Sequence, residues 1–248
     1  MCYDGDSSPP ITPNPRGVGS RHDLTLTAPD GNQFAAFHAV SAEPKGPGIV
    51  ILPDVRGLHH FYEELALRFA EHGYDAVAID YFGRTAGVGT RDDSFPYADH
   101  VPLCTIEGVT ADTAAAVAAL RQGDPERSVF TLGFCFGGSS SWHQAAGGHG
   151  LSGAIGFYGN PKRPPVGPIE RVAEFECPVL ALMAGDDAGI PVEVVEEFRG
   201  ALDGEEVENE VVIYPDAPHS FFDRKQDQYA DASADAWRRV LGFIASHQ

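Results

Sequence analysis

Lysine is nearly missing from this chain: three residues among 17 basic ones, set against 36 acidic residues. The formal charge is −19 with histidine neutral. Such a field repels phosphate backbones and anionic lipid, which argues against nucleic acid and membrane surfaces as partners. Solubility accounts for the acidic balance, with a high-salt habitat as the alternative. No run approaches the roughly 18 apolar residues that a membrane-spanning helix needs. Four cysteines (Cys2, Cys104, Cys135, Cys177) are too few for a disulfide framework, and no Cys-x-x-Cys occurs. Met1-Cys-Tyr-Asp-Gly-Asp-Ser-Ser-Pro-Pro10 has neither a basic n-region nor an apolar h-region, so no secretory signal is expected. Reduced thiols in a cytoplasm are the expectation. The glycines form no Walker or dinucleotide fingerprint, and His59, His60, His143 and His149 lack zinc-ligand spacing. Neither a metal nor an organic cofactor is expected.

What is present is an ordinary globular composition: 248 residues, 43% hydrophobic and 21% charged, enough for a core without staples. Residues 1–20 hold four prolines, three glycines and almost nothing large and apolar, and read as a flexible tail. Residues 21–248 read as one domain, without repeats or a second shift in composition. Asp23–Thr27 and Gln33–Val40 flank Pro29-Asp-Gly-Asn32, the pattern of an antiparallel hairpin. Strands and helices then alternate. Gly48–Pro53 and Ala76–Ile79 are continuous apolar runs, as in strands buried on both faces. Phe61–His72 carries apolar residues with helical spacing and stops at Gly73. After an irregular stretch over 81–105, helices are expected at Ile106–Gln122, Gly137–Ala146, Val192–Leu202 and Tyr229–Ser246. Strands are expected at Ser128–Phe134, Leu151–Tyr158, Pro178–Ala184 and Val207–Tyr214. The last helix presents Trp237, Leu241 and Ile244 on one face. Alternation of this kind means an α/β fold, a mainly parallel sheet with helices on both faces. Its ligands bind beyond the carboxyl ends of the strands.

Gly133-Phe-Cys135-Phe-Gly137-Gly138 lies between an expected strand and an expected helix, the context of a nucleophile elbow. A sharp turn there lifts the central side chain above the sheet edge, and the helix N-terminus favours a thiolate. A thiol nucleophile needs a base, and the base an orienting acid. In α/β-hydrolase order the acid follows a later strand and the histidine follows the last one. Pro178–Gly185 runs into Asp186-Asp187, and Val211–Pro215 runs into Asp216-Ala-Pro-His219. The order is therefore Cys135, then one of two adjacent aspartates, then His219. The same fold order points to the N–H groups of Phe136 and Val55 as an oxyanion hole.

With those residues in place, the chain resembles the dienelactone hydrolase family from about residue 23 to 247. The resemblance rests on Leu52-Pro-Asp-Val-Arg-Gly57, Asp80-Tyr-Phe-Gly-Arg84, Gly133–Gly138, Gly185-Asp-Asp-Ala-Gly-Ile-Pro191 and Pro218-His-Ser-Phe-Phe222. It implies an α/β-hydrolase fold with a cysteine nucleophile. The family's acid stands four residues before a proline, so Pro191 selects Asp187 over Asp186. The resemblance also implies that Arg84 binds a substrate carboxylate, with Arg56 as a competitor. Asp54, one methylene shorter, stands where the family has a thiol-contacting Glu. A second substrate-binding Arg of the family falls on Asp223, with Arg224 beside it.

The expectation is a hydrolase of small lactones or esters, dienelactone (carboxymethylenebutenolide) first, acting through a thioacyl-enzyme of Cys135, His219 and Asp187. The alternatives are a broader carboxylesterase and a catalytically silent small-molecule-binding protein.

Overall fold

The computed structural model describes residues 7–12, 15–43, 46–89, 91, 92 and 94–248, and most of the expected tail lies outside them or is unassigned. The chain divides into two compact units, one of Ile11–Thr131 and the other mainly of Leu132–Gln248.

The first unit opens with β1 (Val18–Thr27) and β2 (Gln33–Ser41), an antiparallel hairpin in the register Thr27↔Gln33 to Ser20↔Val40. Gly31 takes φ +88 in its turn, and Asp30 accepts the Asn32 N–H at 3.2 Å. β1 begins at Val18, so residues 18–20 belong to a strand and not to the tail. Next come β3 (Gly48–Leu52) and α1 (His60–His72). The His59 ring accepts the Phe61 N–H at the start of α1, and Gly73 ends the helix at φ +99. Phe61, Tyr62, Leu65, Ala66, Phe69 and Ala70 form its buried face. β4 (Asp75–Ile79) pairs parallel with β3 and antiparallel with β2, giving the order β1-β2-β4-β3.

The stretch over 81–105 is more ordered than its composition suggests. It holds two single-turn helices, α2 (Gly83–Ala86) and α3 (Tyr97–His100), and a 3₁₀ turn at Val101–Leu103. Phe95 packs at 5.0 Å from both Phe82 and His100, and Arg91 reaches the buried Asp80 at 2.9 Å. Its aromatic residues supply a small core of their own. α4 (Ile106–Leu120) follows, with Thr105 Oγ1 accepting the Gly108 N–H at 3.0 Å as its cap.

β5 (Val129–Phe134) carries the chain from one unit into the other. α5 (Phe136–Gln144), β6 (Gly153–Phe157), β7 (Val179–Asp186), α6 (Val192–Gly204), β8 (Asn209–Pro218) and α7 (Ala230–Ser246) complete the second unit. Its strand order is β5-β6-β7-β8, with the β6–β7 and β7–β8 pairs parallel. Trp142 of α5 is fully buried, 5.0 Å from the Phe198 ring, and donates Nε1–H to the Leu180 carbonyl at 3.3 Å. A 3₁₀ turn at Pro168–Glu174 has no counterpart in the sequence expectations. Leu241 of α7 is only half-buried, and Trp237, Val240, Phe243 and Ile244 carry the buried face. Among the described residues, no single helix is long and apolar enough to cross a membrane.

Candidate active site

The end of β5 and the start of α5 meet in one residue. Cys135 holds φ 55 and ψ −113, a backbone conformation that costs a non-glycine residue on the order of 1–3 kcal/mol. The flanking glycines make it possible. A Cβ on Gly133 would lie 1.9 Å from the Gly137 carbonyl oxygen, and one on Gly138 would lie 2.6 Å from that of Phe157. Main-chain hydrogen bonds hold the bend: Cys135 N–H donates to Phe157 at 3.0 Å, and its carbonyl accepts from Gly138 at 3.1 Å and Ser139 at 3.3 Å.

Phe136 is the first residue of α5, where an N–H has no helical carbonyl four residues earlier to bond. Arg163 fixes this residue at two points. Its Nη1 donates to the Phe136 carbonyl at 2.9 Å, and its guanidinium lies 4.1 Å from the centre of the phenyl ring. No motif in the sequence marks Arg163.

Asp187 follows β7 and His219 follows β8. His219 Nδ1 lies 2.6 Å from Asp187 Oδ2, while Asp187 Oδ1 accepts the Gly189 N–H at 2.9 Å. Asp186 is the last residue of β7, paired in register with Pro218, and its side chain is exposed. The neighbouring Asp187 is the one that meets the histidine. The Cys135 thiol lies near enough to the same imidazole to act on its charge. Burial disfavours the imidazolium, but the hydrogen bond to Asp187 and the charges of Asp187 and Cys135 prevail and push His219 up to about 10. Burial likewise works against the Asp187 carboxylate. The hydrogen bonds from His219 and from the Gly189 and Ile190 N–H groups outweigh it, and its pKa falls below the usual carboxylate value. Thiol, imidazole and carboxylate are thus gathered at one place, with the carboxylate bonded to the imidazole, an arrangement able to activate a thiol. Beside it opens a cleft of about 580 Å³, lined by Asn160, Asp187, Ile190, His219, Arg224 and Lys225.

The remaining candidates belong to the first unit. Val55 is half-buried in a turn after β3. Asp54 is fully buried and braces its own loop: it accepts Arg56 Nε at 3.0 and 3.1 Å, and its carbonyl accepts the Tyr81 hydroxyl at 2.6 Å. Arg56 is itself buried in that pair. Arg84, expected to hold a substrate carboxylate, instead holds two from the chain. It reaches Asp112 at 2.9 Å through both Nε and Nη2, and Asp30 at 2.6 Å through Nη1 and 3.1 Å through Nη2. The two arginines that sequence reasoning singles out are engaged in internal ion pairs. The basic residues beside His219 are Arg224 and Lys225.

Comparison with known proteins gives this geometry a context. The model of the dienelactone hydrolase family matches residues 34–248 and so spans both units. An Escherichia coli (strain K12) protein named "Putative carboxymethylenebutenolidase" is 30% identical over 243 residues, covering 90% of this chain and 86% of its own. The "Carboxymethylenebutenolidase" of Rhodococcus opacus is 28% identical over 262 residues, covering 98% and 96%. Among solved structures, the "Putative Dienelactone Hydrolase" of Klebsiella pneumoniae superposes with a TM-score of 0.78 at 27% identity, over 92% of this chain and 99% of that one. The fold is that of the α/β-hydrolases, with an antiparallel hairpin at its N-terminal end.

Proposed function

Because this chain belongs to the dienelactone hydrolase family, and is thereby a hydrolase of carboxylic esters or lactones, we propose that Cys135, His219 and Asp187 carry its chemistry through a thioacyl-enzyme. His219 holds as imidazolium the proton drawn from Cys135, and the thiolate sulfur attacks the substrate carbonyl carbon. Charge that develops on the carbonyl oxygen is received by the Phe136 N–H at the start of α5. Collapse of the tetrahedral adduct breaks the acyl C–O bond, and His219 returns its proton to the departing oxygen. In a lactone that oxygen stays tethered to the acyl group. Water activated by His219 then attacks the thioester, releasing the carboxylic acid and regenerating the thiol. Asp187 keeps the imidazole oriented and stabilises its cationic form throughout.

The observation that carries this reading is the 2.6 Å contact of His219 with Asp187, together with Cys135 on its positive-φ bend between a strand and a helix. The reading calls for no metal or organic cofactor. It treats the chain from β1 onward as one catalytic domain in the cytoplasm, acting on a small molecule. Dienelactones are the first substrate class, in keeping with the relatives' names. Lys225, in the cleft beside His219, suits a substrate carboxylate there. The internal pairing of Arg56 and Arg84 favours a second reading, a broader esterase of neutral short-chain esters. Mass spectrometry of the quenched enzyme tests the chemistry: an aryl ester should leave its acyl group on Cys135, and an adduct elsewhere, or none, would refute it. Turnover of a carboxylate-bearing dienelactone against a neutral ester separates the two substrate classes.

A further inference from the structure

We infer that Tyr158 is a positioning residue for His219 and that Asp223 locks it in that role, because the Tyr158 ring lies against the imidazole while its hydroxyl is tied to the same loop four residues further on. Tyr158 directly follows β6 and is fully buried. Its φ is 36, a conformation that a large side chain avoids unless its surroundings impose it. Among the described residues, Cys135, Glu206 and Ser220 are the other non-glycine residues with positive φ. Three of the four therefore carry, adjoin or pack against the thiol–imidazole pair.

What imposes the conformation is visible from both ends of the residue. The Tyr158 N–H donates to the Leu182 carbonyl at 2.9 Å, tying its backbone to β7. The hydroxyl donates to Asp223 Oδ1 at 2.6 Å, and Asp223 is completely buried. Between these anchors the ring centroid sits 5.0 Å from that of His219 and 5.5 Å from that of Phe221. A single hydrogen bond from His219 Nδ1 to the Asp187 carboxylate leaves the imidazole a swing about that contact. The tyrosine face restricts this swing and keeps the opposite nitrogen directed at the sulfur. Asp223 stands where the family resemblance places a substrate-binding arginine, yet here it accepts the hydroxyl that fixes the ring.

This inference rests on the triad reading, and its test separates the two. Tyr158→Phe keeps the ring and removes the bond to Asp223, and Asp223→Asn weakens the same bond from the other side. Each should lower kcat for p-nitrophenyl acetate by about 10- to 100-fold, the scale of a slight misplacement, with KM within about threefold. The double variant should be no worse than either single one, since both break one contact. The downfield proton resonance of the Asp187–His219 hydrogen bond should broaden in both. Tyr158→Phe/Asp223→Leu removes both polar groups, and an unchanged kcat loss there shows that a carboxylate deprived of the tyrosine hydroxyl is not the cause. Wild-type kcat with only a lower melting temperature would overturn the positioning role, as would a rise in KM at constant kcat. Wild-type enzyme that stays active after Cys135 is alkylated would instead refute the triad itself, whatever Tyr158→Phe does.

Discussion

Arg84 and Asp112 meet edge to edge, Nε and Nη2 of the guanidinium each 2.9 Å from a carboxylate oxygen. Asp112 is fully buried on α4 and Arg84 is one-fifth exposed on α2, so the pair ties two helices of the first unit together. Burial pushes the Asp112 carboxyl up, against the pull of Arg84, which is what a pair held away from water produces. Removing one partner of such a pair strands the other charge in the interior.

Arg84→Ala should therefore reduce stability by about 3 kcal/mol, read from urea unfolding. Its effect on kcat/KM should be the same for a carboxylate-bearing lactone and for a neutral ester. A selective loss on the charged substrate would restore Arg84 as a substrate anchor.

The two adjacent aspartates should separate cleanly in kinetics. Asp187→Asn retains the shape but removes the charge and favours the wrong imidazole tautomer, at a cost of roughly 10³–10⁴ in kcat/KM. Asp186→Asn, at an exposed strand end, should stay within about threefold of wild type. The reverse ranking would place the acid one residue earlier.

Cysteine chemistry should be confined to one thiol of the second unit. Cys135→Ala should lower turnover by roughly 10⁴–10⁶. Cys177 is buried, and burial together with Glu176 pushes its thiol up to about 12, so iodoacetamide should leave it unmodified in the folded protein. Peptide mapping after brief alkylation should find label on Cys135, with activity lost in proportion.

The pH dependence follows from His219, whose pKa is raised from 6.5 to about 10. The proton it delivers to the leaving oxygen is present below that value, so kcat/KM should fall as pH rises through about 10. In Asp187→Asn the limb should move to lower pH, because one group that holds the imidazolium is gone. Stability has the same sign. A raised folded-state pKa contributes stability fully present below about 6.5 and lost as pH rises through about 10. The difference in melting temperature between wild type and Asp187→Asn should accordingly shrink across that window.

Much of this site can be read in the chain because its parts are local. A strand, a glycine-flanked cysteine and a helix follow one another with no intervening loop, and the acid and histidine each stand just past a strand. Choosing Asp187 requires the Pro191 spacing, since two adjacent aspartates are equivalent to any pattern of hydrophobicity. What stays hidden depends on distance along the chain. Arg84 is neutralised by residues 54 and 28 positions away, and no local signal announces them. Tyr158 and Asp223 are 65 residues apart, and Arg163 acts on a carbonyl 27 residues earlier. The start of β1 is hidden for another reason. Ser20–Asp23 are polar and Val18–Asp23 are largely exposed, and main-chain pairing with β2 extends the strand where no buried face would have marked it.

The geometry of the bend at Cys135 is enforced by Gly133, Gly138 and three main-chain hydrogen bonds, none of which consults the atom at the tip of the side chain. The scaffold supplies a location and remains neutral about the element placed there. In evolutionary terms, exchanging sulfur for oxygen at this position is a one-codon change that leaves the architecture untouched. Cys135→Ser should therefore fold as the wild type does, so that any difference in turnover reports on the element alone.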